Sequence, residues 1–198
     1  MKKPQTKKNF YTLVEIMTVI VIAALLFGIG IPAFTTMIQG SNMTVSIRRL
    51  SAKIAAARAY AVSNRCKVAL LLVETGVKEE YCYSAYRVCV VDSSNVFQEW
   101  IEDENWKTLP RGVYRDSVTN TISVTVDAAD IGGSNTGYPA MIFNDKGQMD
   151  NGVVITLKNG RYVGGQKIQT SKDEPDHKLT VNQYSGKVRV DLSAEPSS

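Results

Sequence analysis

Residues 10–31 read FYTLVEIMTVIVIAALLFGIGI and contain a single charged side chain, Glu15. From Tyr11 to Ile38 the chain has 28 residues, about 42 Å as an α-helix. That length exceeds the roughly 30 Å of a bilayer core, so the stretch predicts a transmembrane helix. The alternative is a buried helix of a soluble protein. A carboxylate at mid-membrane costs roughly 2.5–3.5 kcal/mol and less near the edge. Glu15 therefore needs a compensating partner.

Residues 1–10 form a basic leader with four lysines and no acid. Without these four, the 23 basic residues fall to 19, which balances the 19 acidic residues. Basic flanks stay on the cytoplasmic side of a membrane, so the rest of the chain is expected outside the cytoplasm. No A-x-A-like cleavage site follows Ile31, and the apolar run is therefore expected to remain as an anchor.

A second, amphipathic half of the same helix is expected over residues 39–66. Its apolar residues recur every three or four positions: Ile47, Leu50, Ile54, Ala57 and Ala61. The helix is expected to end near Asn64. Pro32 removes a backbone hydrogen bond and should kink or loosen the turn before it.

Residues 67–198 have the pattern of an antiparallel β head. Short runs rich in β-branched and aromatic residues predict strands at 68–73, 86–91, 97–101, 122–126, 140–143, 153–157, 178–181 and 188–190. Turns are predicted at 144–147, 149–152, 158–161 and 184–187. Residues 132–137 and 171–176 predict loops, and residues 193–198 a frayed tail. The predicted fold class is α+β, with a long helical stem packed on an antiparallel sheet.

Charge is distributed unevenly along this architecture. Six basic residues lie between Arg48 and Lys67, and no acid lies between Glu15 and Glu74. Residues 92–104 carry five acids and no base. One interpretation is that both stretches are solvated faces. The other is that a basic stem contacts acidic surfaces of neighbouring subunits or anionic lipid headgroups.

Three cysteines lie in the part expected outside the cytoplasm, where disulfides form. Cys82 and Cys89 are seven residues apart and are candidates for a disulfide. The alternative is that these thiols are free or buried.

The sequence offers no catalytic constellation, so no enzyme, cofactor or metal is expected. The only histidine, His177, lies in the polar segment EPDHK. NDKGQMDNG at 144–152 has oxygen ligands but lacks the closing glutamate of a calcium loop, and turn chemistry explains it better. Lys187 and Arg189 alternate on a predicted strand and so face one side, either as phosphate contacts or as an ordinary solvated face.

The N-terminus resembles the class III signal of type IV pilins and pseudopilins. The resemblance rests on the basic leader, on YTLVE at 11–15, and on Pro32 seventeen residues after Glu15. The head resembles the GspH/FimT group of minor pseudopilins. The matching motifs are an Ala-Arg stem end (ARAYAV, 57–62), a Phe-x-x-x-Gly turn (143–147), an Asn-Gly-Arg turn (159–161) and a Gly-basic-x-Arg-Val strand (186–190).

This resemblance implies a minor pilin or pseudopilin subunit. Prepilin peptidase would remove the leader and methylate the new N-terminal amine. The implied start is Tyr11 after Phe10, or Phe10 after Asn9; the family normally has glycine before the cut, and neither position does. Glu15 would pair with the amine of an adjacent subunit, and Pro32 would shape the assembling helix.

The implied partners are other pilin or pseudopilin subunits, prepilin peptidase and an inner-membrane assembly platform. The implied location is the bacterial inner membrane, single-pass, with the N-terminus cytoplasmic and the head periplasmic, and then a filament. The implied filament is a type II secretion pseudopilus or a type IV pilus. An alternative function is DNA binding during DNA uptake, in which Lys187 and Arg189 occupy the matching basic positions.

Overall fold

The computed structural model describes residues 12–170 and 175–193, with the side chains of 28–40 and 193 outside that description. The predicted leader and both predicted cleavage positions therefore lie outside the described residues, as does the side chain of Pro32. The chain divides into two compact units, Met1–Ile38 and Gln39–Ser198.

One helix, α1, runs over Leu13–Asn64 and continues through Pro32. Its start is fixed by Thr12, whose Oγ1 accepts a hydrogen bond from the Glu15 backbone N–H at 3.3 Å. Thr12-x-x-Glu15 is thus the sequence of a capping box, and the Glu15 carboxylate lies where the helix dipole favours negative charge. Within the described residues, no helix holds an apolar stretch long enough to cross a membrane.

The helix ends in the second unit at Asn64, the predicted position. Arg65 adopts a left-handed conformation with φ of 50°. The Cys66 N–H then donates to the Ala61 carbonyl at 3.2 Å, which is the closing bond of a Schellman motif. A non-glycine residue takes the left-handed position here, and the chain turns directly from the helix into the first strand.

The β head contains eleven strands within the described residues, all paired antiparallel. Two short 3₁₀ helices, Glu79–Tyr81 and Ala129–Ile131, lie between strands. The strands are β1 Lys67–Leu72, β2 Ala85–Val91, β3 Phe97–Trp100, β4 Lys107–Thr108, β5 Val113–Thr119, β6 Ile122–Val126, β7 Thr136–Phe143, β8 Val153–Val163, β9 Gln166–Gln169, β10 Asp176–Val181 and β11 Val188–Ser193.

The strands form two sheets. The first has the order β3-β2-β1-β7-β6, with β4 also paired to β2. The second has the order β11-β10-β8-β5, with β9 also paired to β8. The eight predicted strands are all present, and β4, β5 and β9 are additional.

Two apolar cores lie on opposite faces of the first sheet, because successive residues of a strand face opposite sides. Val68, Leu70 and Leu72 of β1 face the larger core, while Ala69 and Leu71 face the smaller one. The larger core also takes the predicted face of α1 and the inner residues of the second sheet: Leu50, Ile54, Ala57, Ala61, Val153, Ile155, Leu157, Leu179 and Val181. The α+β prediction is confirmed for the second unit, where α1 packs on the antiparallel head. The transmembrane half of the helix stays a prediction.

One predicted turn is wrong. Residues 158–161, KNGR, continue β8, and the chain turns only at Gly164 and Gly165. The backbone of β9 lies very close to Gly160, because a Cβ on this residue would be 2.2 Å from the Ile168 carbonyl oxygen. An Asn-Gly pair usually indicates a turn. Here the glycine instead allows the backbones of two paired strands to lie close together.

Of the two alternatives for the cysteines, the structure has free thiols at Cys66, Cys82 and Cys89 rather than a Cys82–Cys89 disulfide. Cys89 lies in the middle of β2 and is buried in the smaller core. The Cys82 thiol instead lies 3.6 Å from the Val77 carbonyl oxygen and 3.7 Å from that of Lys78. Each sulfur therefore has separate surroundings.

Candidate assembly surfaces

The first candidate surface is the apolar start of α1. Every residue from Leu13 to Ile22 is exposed, and the largest apolar side chains are bare, with Leu13 at 74% and Phe27 at 67% exposure. Polar side chains here are few and short. The Thr18 hydroxyl donates back to the Glu15 and Val14 carbonyls at 2.9 and 3.1 Å, so it presents little polarity outward. A helix that is apolar all round needs lipid or other apolar helices to cover it.

Glu15 is the only charged residue on this surface, and the next one along the chain is Arg48. Its backbone N–H is used in the helix cap, while its side chain is exposed. Among the described residues, no side chain makes an ion pair or hydrogen bond with the Glu15 carboxylate. This carboxylate is the one group on the apolar surface that a positive charge from another molecule would recognise.

The second candidate surface lies where α1 meets two turns of the head. The Nε of Arg58 donates a hydrogen bond to the Gly147 carbonyl oxygen at 2.8 Å. A Cβ on Gly186 would lie 2.5 Å from Cδ of Arg58, and one on Gly147 would lie 2.9 Å from its Nε. We call Arg58, Gly147 and Gly186 the Arg58 junction.

Both glycines of the Arg58 junction also need a left-handed backbone, with φ of 71° at Gly147 and 60° at Gly186. The turns that place them are fixed by asparagines. Asn144 Oδ1 accepts from the Lys146 and Gln148 N–H groups, and Asn182 Oδ1 accepts from the Tyr184 and Ser185 N–H groups. These Asx-type bonds are the reason asparagine and glycine recur in both turns.

An open groove of about 660 Å³ lies beside the Arg58 junction. Small residues on α1 leave this space, because they do not reach the turn between β10 and β11. The groove is lined by Ser51, Ala55, Arg58, Ala59, Val62, Ser63, Ser185, Gly186, Lys187 and Val188. Its lining includes two basic residues and no acid.

The two residues predicted as DNA contacts have different surroundings in the structure. Lys187 is exposed and lines the groove. Arg189 lies on β11 and is 82% exposed, and its Nε bonds to Asp191 Oδ1 at 2.9 Å. Asp191, two residues further along the strand, offsets the positive charge of Arg189. DNA binding at these positions stays a prediction.

The acidic stretch 92–104 is partly used within the chain. Glu104 bonds to Lys53 of α1 at 2.5 Å, with both side chains largely buried. Asp92 instead organises its own turn, accepting from the Ser94 and Val96 N–H groups at 2.8 Å. Glu99, Glu102 and Asp103 are exposed. These three carboxylates remain on the surface of the head.

Two buried arginines were missed by sequence reasoning. Arg115 on β5 donates from Nη2 to the Val73 carbonyl at 2.9 Å, and burial lowers the pKa of its guanidinium to about 10. Arg87 on β2 lies 3.2 Å from Asp130 and places its guanidinium 3.8 Å from the Trp100 ring centre. Burial lowers the pKa of Arg87 as well, against the opposing effect of Asp130. Both arginines join strands to loops and lie inside the head.

Side chains that commonly bind metal ions do not cluster in the described residues. They contain no group of three or more His, Cys, Asp or Glu side chains placed to share a metal ion. Asn144 of the 144–152 segment has its side-chain oxygen engaged by two backbone N–H groups, as turn chemistry requires. His177 lies on β10, half-buried.

Comparisons with known proteins give structural similarities alone. No family model and no curated protein matches the chain. The type IV minor pilin FimU of Pseudomonas aeruginosa PAO1 is 11% identical, with a TM-score of 0.47, covering 78% of this chain and 92% of that one. The minor pseudopilin EpsH of the type 2 secretion system of Vibrio cholerae is 13% identical, with a TM-score of 0.47, covering 77% of this chain and 98% of that one.

The chain resembles minor pilins and minor pseudopilins.

Proposed function

We propose that the chain is a minor pilin or pseudopilin subunit that assembles into, or primes, a type IV pilus or a type II secretion pseudopilus. The observation that carries the proposal is the exposed apolar surface of α1 with Glu15 as its single charge. Such a surface is stable only when covered. In the proposed cycle, lipid of the bacterial inner membrane covers it first, and neighbouring subunit helices cover it afterwards.

The Glu15 carboxylate fixes the position of the subunit relative to its neighbour when the subunit moves from the membrane into the filament. A carboxylate placed among apolar helices is costly unless a positive charge reaches contact distance, since the desolvation cost is offset only by a close partner. The proposed partner is the N-terminal amine of an adjacent subunit, created when prepilin peptidase removes the leader at Tyr11 or Phe10. The exposed carboxylate of Glu15, with its backbone held by the Thr12 cap, supports this role.

The remaining parts of the proposal follow from the order of the chain. The basic leader would hold the N-terminus in the cytoplasm, and the β head would lie in the periplasm. Prepilin peptidase and an inner-membrane assembly platform would be the transient partners, and other pilin or pseudopilin subunits the lasting ones. The proposed role is structural, with no reaction at the head.

Filament incorporation of Glu15 variants tests this function. We expect Glu15→Gln to accumulate in the membrane but to enter sheared filaments about tenfold less than the wild type, equivalent to about 1.4 kcal/mol. Thr18→Ala is the matched control, because it changes a neighbouring exposed polar residue without changing charge, and it should incorporate normally. Equal incorporation of Glu15→Gln and the wild type would contradict the proposed role of Glu15.

A further inference from the structure

The edge strand β11 leaves an apolar face uncovered. Leu179 and Val181 on β10 are fully buried, and their antiparallel partners on β11 are Val190 and Val188. Residues paired across an antiparallel ladder face the same side, so Val188, Val190 and Leu192 also face the core side. Val188 packs against the core, yet Val190 is 43% and Leu192 64% exposed. The apolar stripe therefore runs from the buried core out to the surface.

The same three residues carry backbone groups that point away from β10. The Asn182 N–H donates to the Lys187 carbonyl oxygen at 3.0 Å, which makes this a hydrogen-bonded pair. Bonded and non-bonded pairs alternate in an antiparallel ladder, so Arg189 and Asp191 also bond toward β10. The N–H and C=O groups of Val188, Val190 and Leu192 then point outward. In the described part of the chain, β10 is the only strand paired with β11.

The groove beside the Arg58 junction opens onto this edge, and Val188 belongs to both. A strand added along β11 would thus find backbone partners, an apolar stripe and space in one place. Open strand edges with an apolar face are the usual sites of strand addition. Arg58 and Lys187 make the lining basic, and α1 carries no acid after Glu15.

The head also offers a strand of matching character. β3, Phe97–Trp100, ends the first sheet and pairs only with β2 among the described strands. It lies within the acidic stretch 92–104, with Glu99, Glu102 and Asp103 exposed. Val96, just before it, is 56% exposed. The acidic stretch at β3 is therefore complementary in charge to the groove beside β11, whose lining holds Arg58 and Lys187.

We propose that the β11 edge and its groove bind the acidic edge strand β3 of a second copy of this chain. The contact joins different surfaces of the two copies, so each copy keeps one free β11 edge or one free β3 edge and can bind a further copy head-to-tail. It rests on the proposed assembly function, but it is a property of the heads alone. Glu15 and the leader play no part in it.

Photo-crosslinking of the purified full-length chain in detergent tests the contact without other subunits. A benzoylphenylalanine replaces Val190, and equal amounts of light and ¹⁵N-labelled protein are mixed. We expect light–heavy cross-links that map to residues 92–104. Ile168, which is 45% exposed on β9, is the matched control position and should give none. Absence of light–heavy cross-links from position 190, or cross-links mapping elsewhere in the chain, would overturn the proposal.

Charge reversal supplies a second, independent arm. Lys187→Glu and Glu102→Lys should each lower the position-190 cross-link yield about two- to fivefold, since exposed ion pairs contribute about 0.2–1 kcal/mol. Combining the two should restore most of the yield, whereas Arg161→Glu, an exposed position on β8 that pairs with β9, should have no effect. Cross-link yields that stay the same in all of these variants would contradict the charge pairing. Filament incorporation with no cross-link would leave the assembly function standing and remove only this contact.

Discussion

Arg58 donates a hydrogen bond from Nε to the carbonyl oxygen of Gly147 at 2.8 Å, and this bond ties the stem helix to the head. The side chain of Arg58 also packs on Gly186 of a second turn. Arg58, Gly147 and Gly186 belong to three separate motifs that carry the resemblance to minor pseudopilins. In the structure these motifs are neighbours, which gives a common physical reason for the arginine and the two glycines.

Removing the Arg58 side chain should destabilise the head. Arg58→Ala loses a hydrogen bond from a charged donor and the packing on Gly186, and we expect a loss of about 1–3 kcal/mol in unfolding free energy. Urea unfolding of the full chain in detergent, followed by tryptophan fluorescence, measures it. Arg48→Ala is the control, because Arg48 is exposed on the same helix, and it should change stability by less than about 0.5 kcal/mol. Equal effects of the two variants would contradict the role of Arg58.

Gly186 should tolerate a methyl group less well than Gly164. The two glycines have nearly the same φ, 60° and 59°, so alanine pays the same left-handed cost of about 1–2 kcal/mol at each. Only at Gly186 does the new Cβ meet Arg58, at 2.5 Å from Cδ, while nothing lies within 4 Å at Gly164. We expect Gly186→Ala to cost about 1–3 kcal/mol more than Gly164→Ala.

A double mutant separates this clash from other effects at Gly186. In an Arg58→Ala background, the extra cost of Gly186→Ala over Gly164→Ala should largely disappear, because the atom that clashes is gone. If the extra cost persists without the Arg58 side chain, its source is not the Arg58 junction.

Gly160 should be intolerant of alanine for a different reason. Its Cβ would lie 2.2 Å from the Ile168 carbonyl oxygen, and a backbone atom held in the β8–β9 ladder has little freedom to move. We expect Gly160→Ala to cost about 3 kcal/mol or more in urea unfolding. Gly165→Ala, at a left-handed glycine with open space, should cost about 1–2 kcal/mol. A cost at Gly160 no larger than that at Gly165 would favour a plain turn at residues 158–161.

The buried thiol of Cys89 predicts a pH dependence of stability. Burial raises its pKa to about 12, against the opposing effect of Arg87, while the thiol of an unfolded chain titrates near pH 8.5. Between these values the unfolded state binds fewer protons than the folded state, so this thiol's contribution falls by about 1.4 kcal/mol per pH unit. The advantage of the wild type over Cys89→Ala should be constant below about pH 8 and shrink from pH 9 upward. A difference that is independent of pH up to 11 would contradict the burial of Cys89 as a protonated thiol.

The helix and most strands were predictable because each depends on a local repeat. Leu50, Ile54, Ala57 and Ala61 recur at helical spacing and lie in the core. β1 was found as a continuous apolar run, VALLLV, because both of its faces are buried. Local patterns of this kind need no knowledge of which elements become neighbours.

The missed features all depend on contacts between distant segments. β5 holds Arg115, whose charge in mid-strand masks the strand pattern, and its bond to Val73 is visible only in the fold. The Asn-Gly pair at 159–160 predicts a turn, because nothing in the neighbouring sequence indicates that the Ile168 carbonyl oxygen lies close to Gly160. The groove beside the Arg58 junction is lined by α1 and by the β10–β11 turn, which are more than one hundred residues apart along the chain.

The most direct measurement of the central claim is the intact mass of the membrane form, with and without prepilin peptidase. The account predicts that the peptidase removes residues 1–9 or 1–10 and adds the mass of one methyl group to the new N-terminus. Without the peptidase, the chain should keep its leader and stay out of filaments. A membrane form that still carries Met1 or Lys2 when the peptidase is present would contradict the account, because Glu15 would then have no amine to pair with.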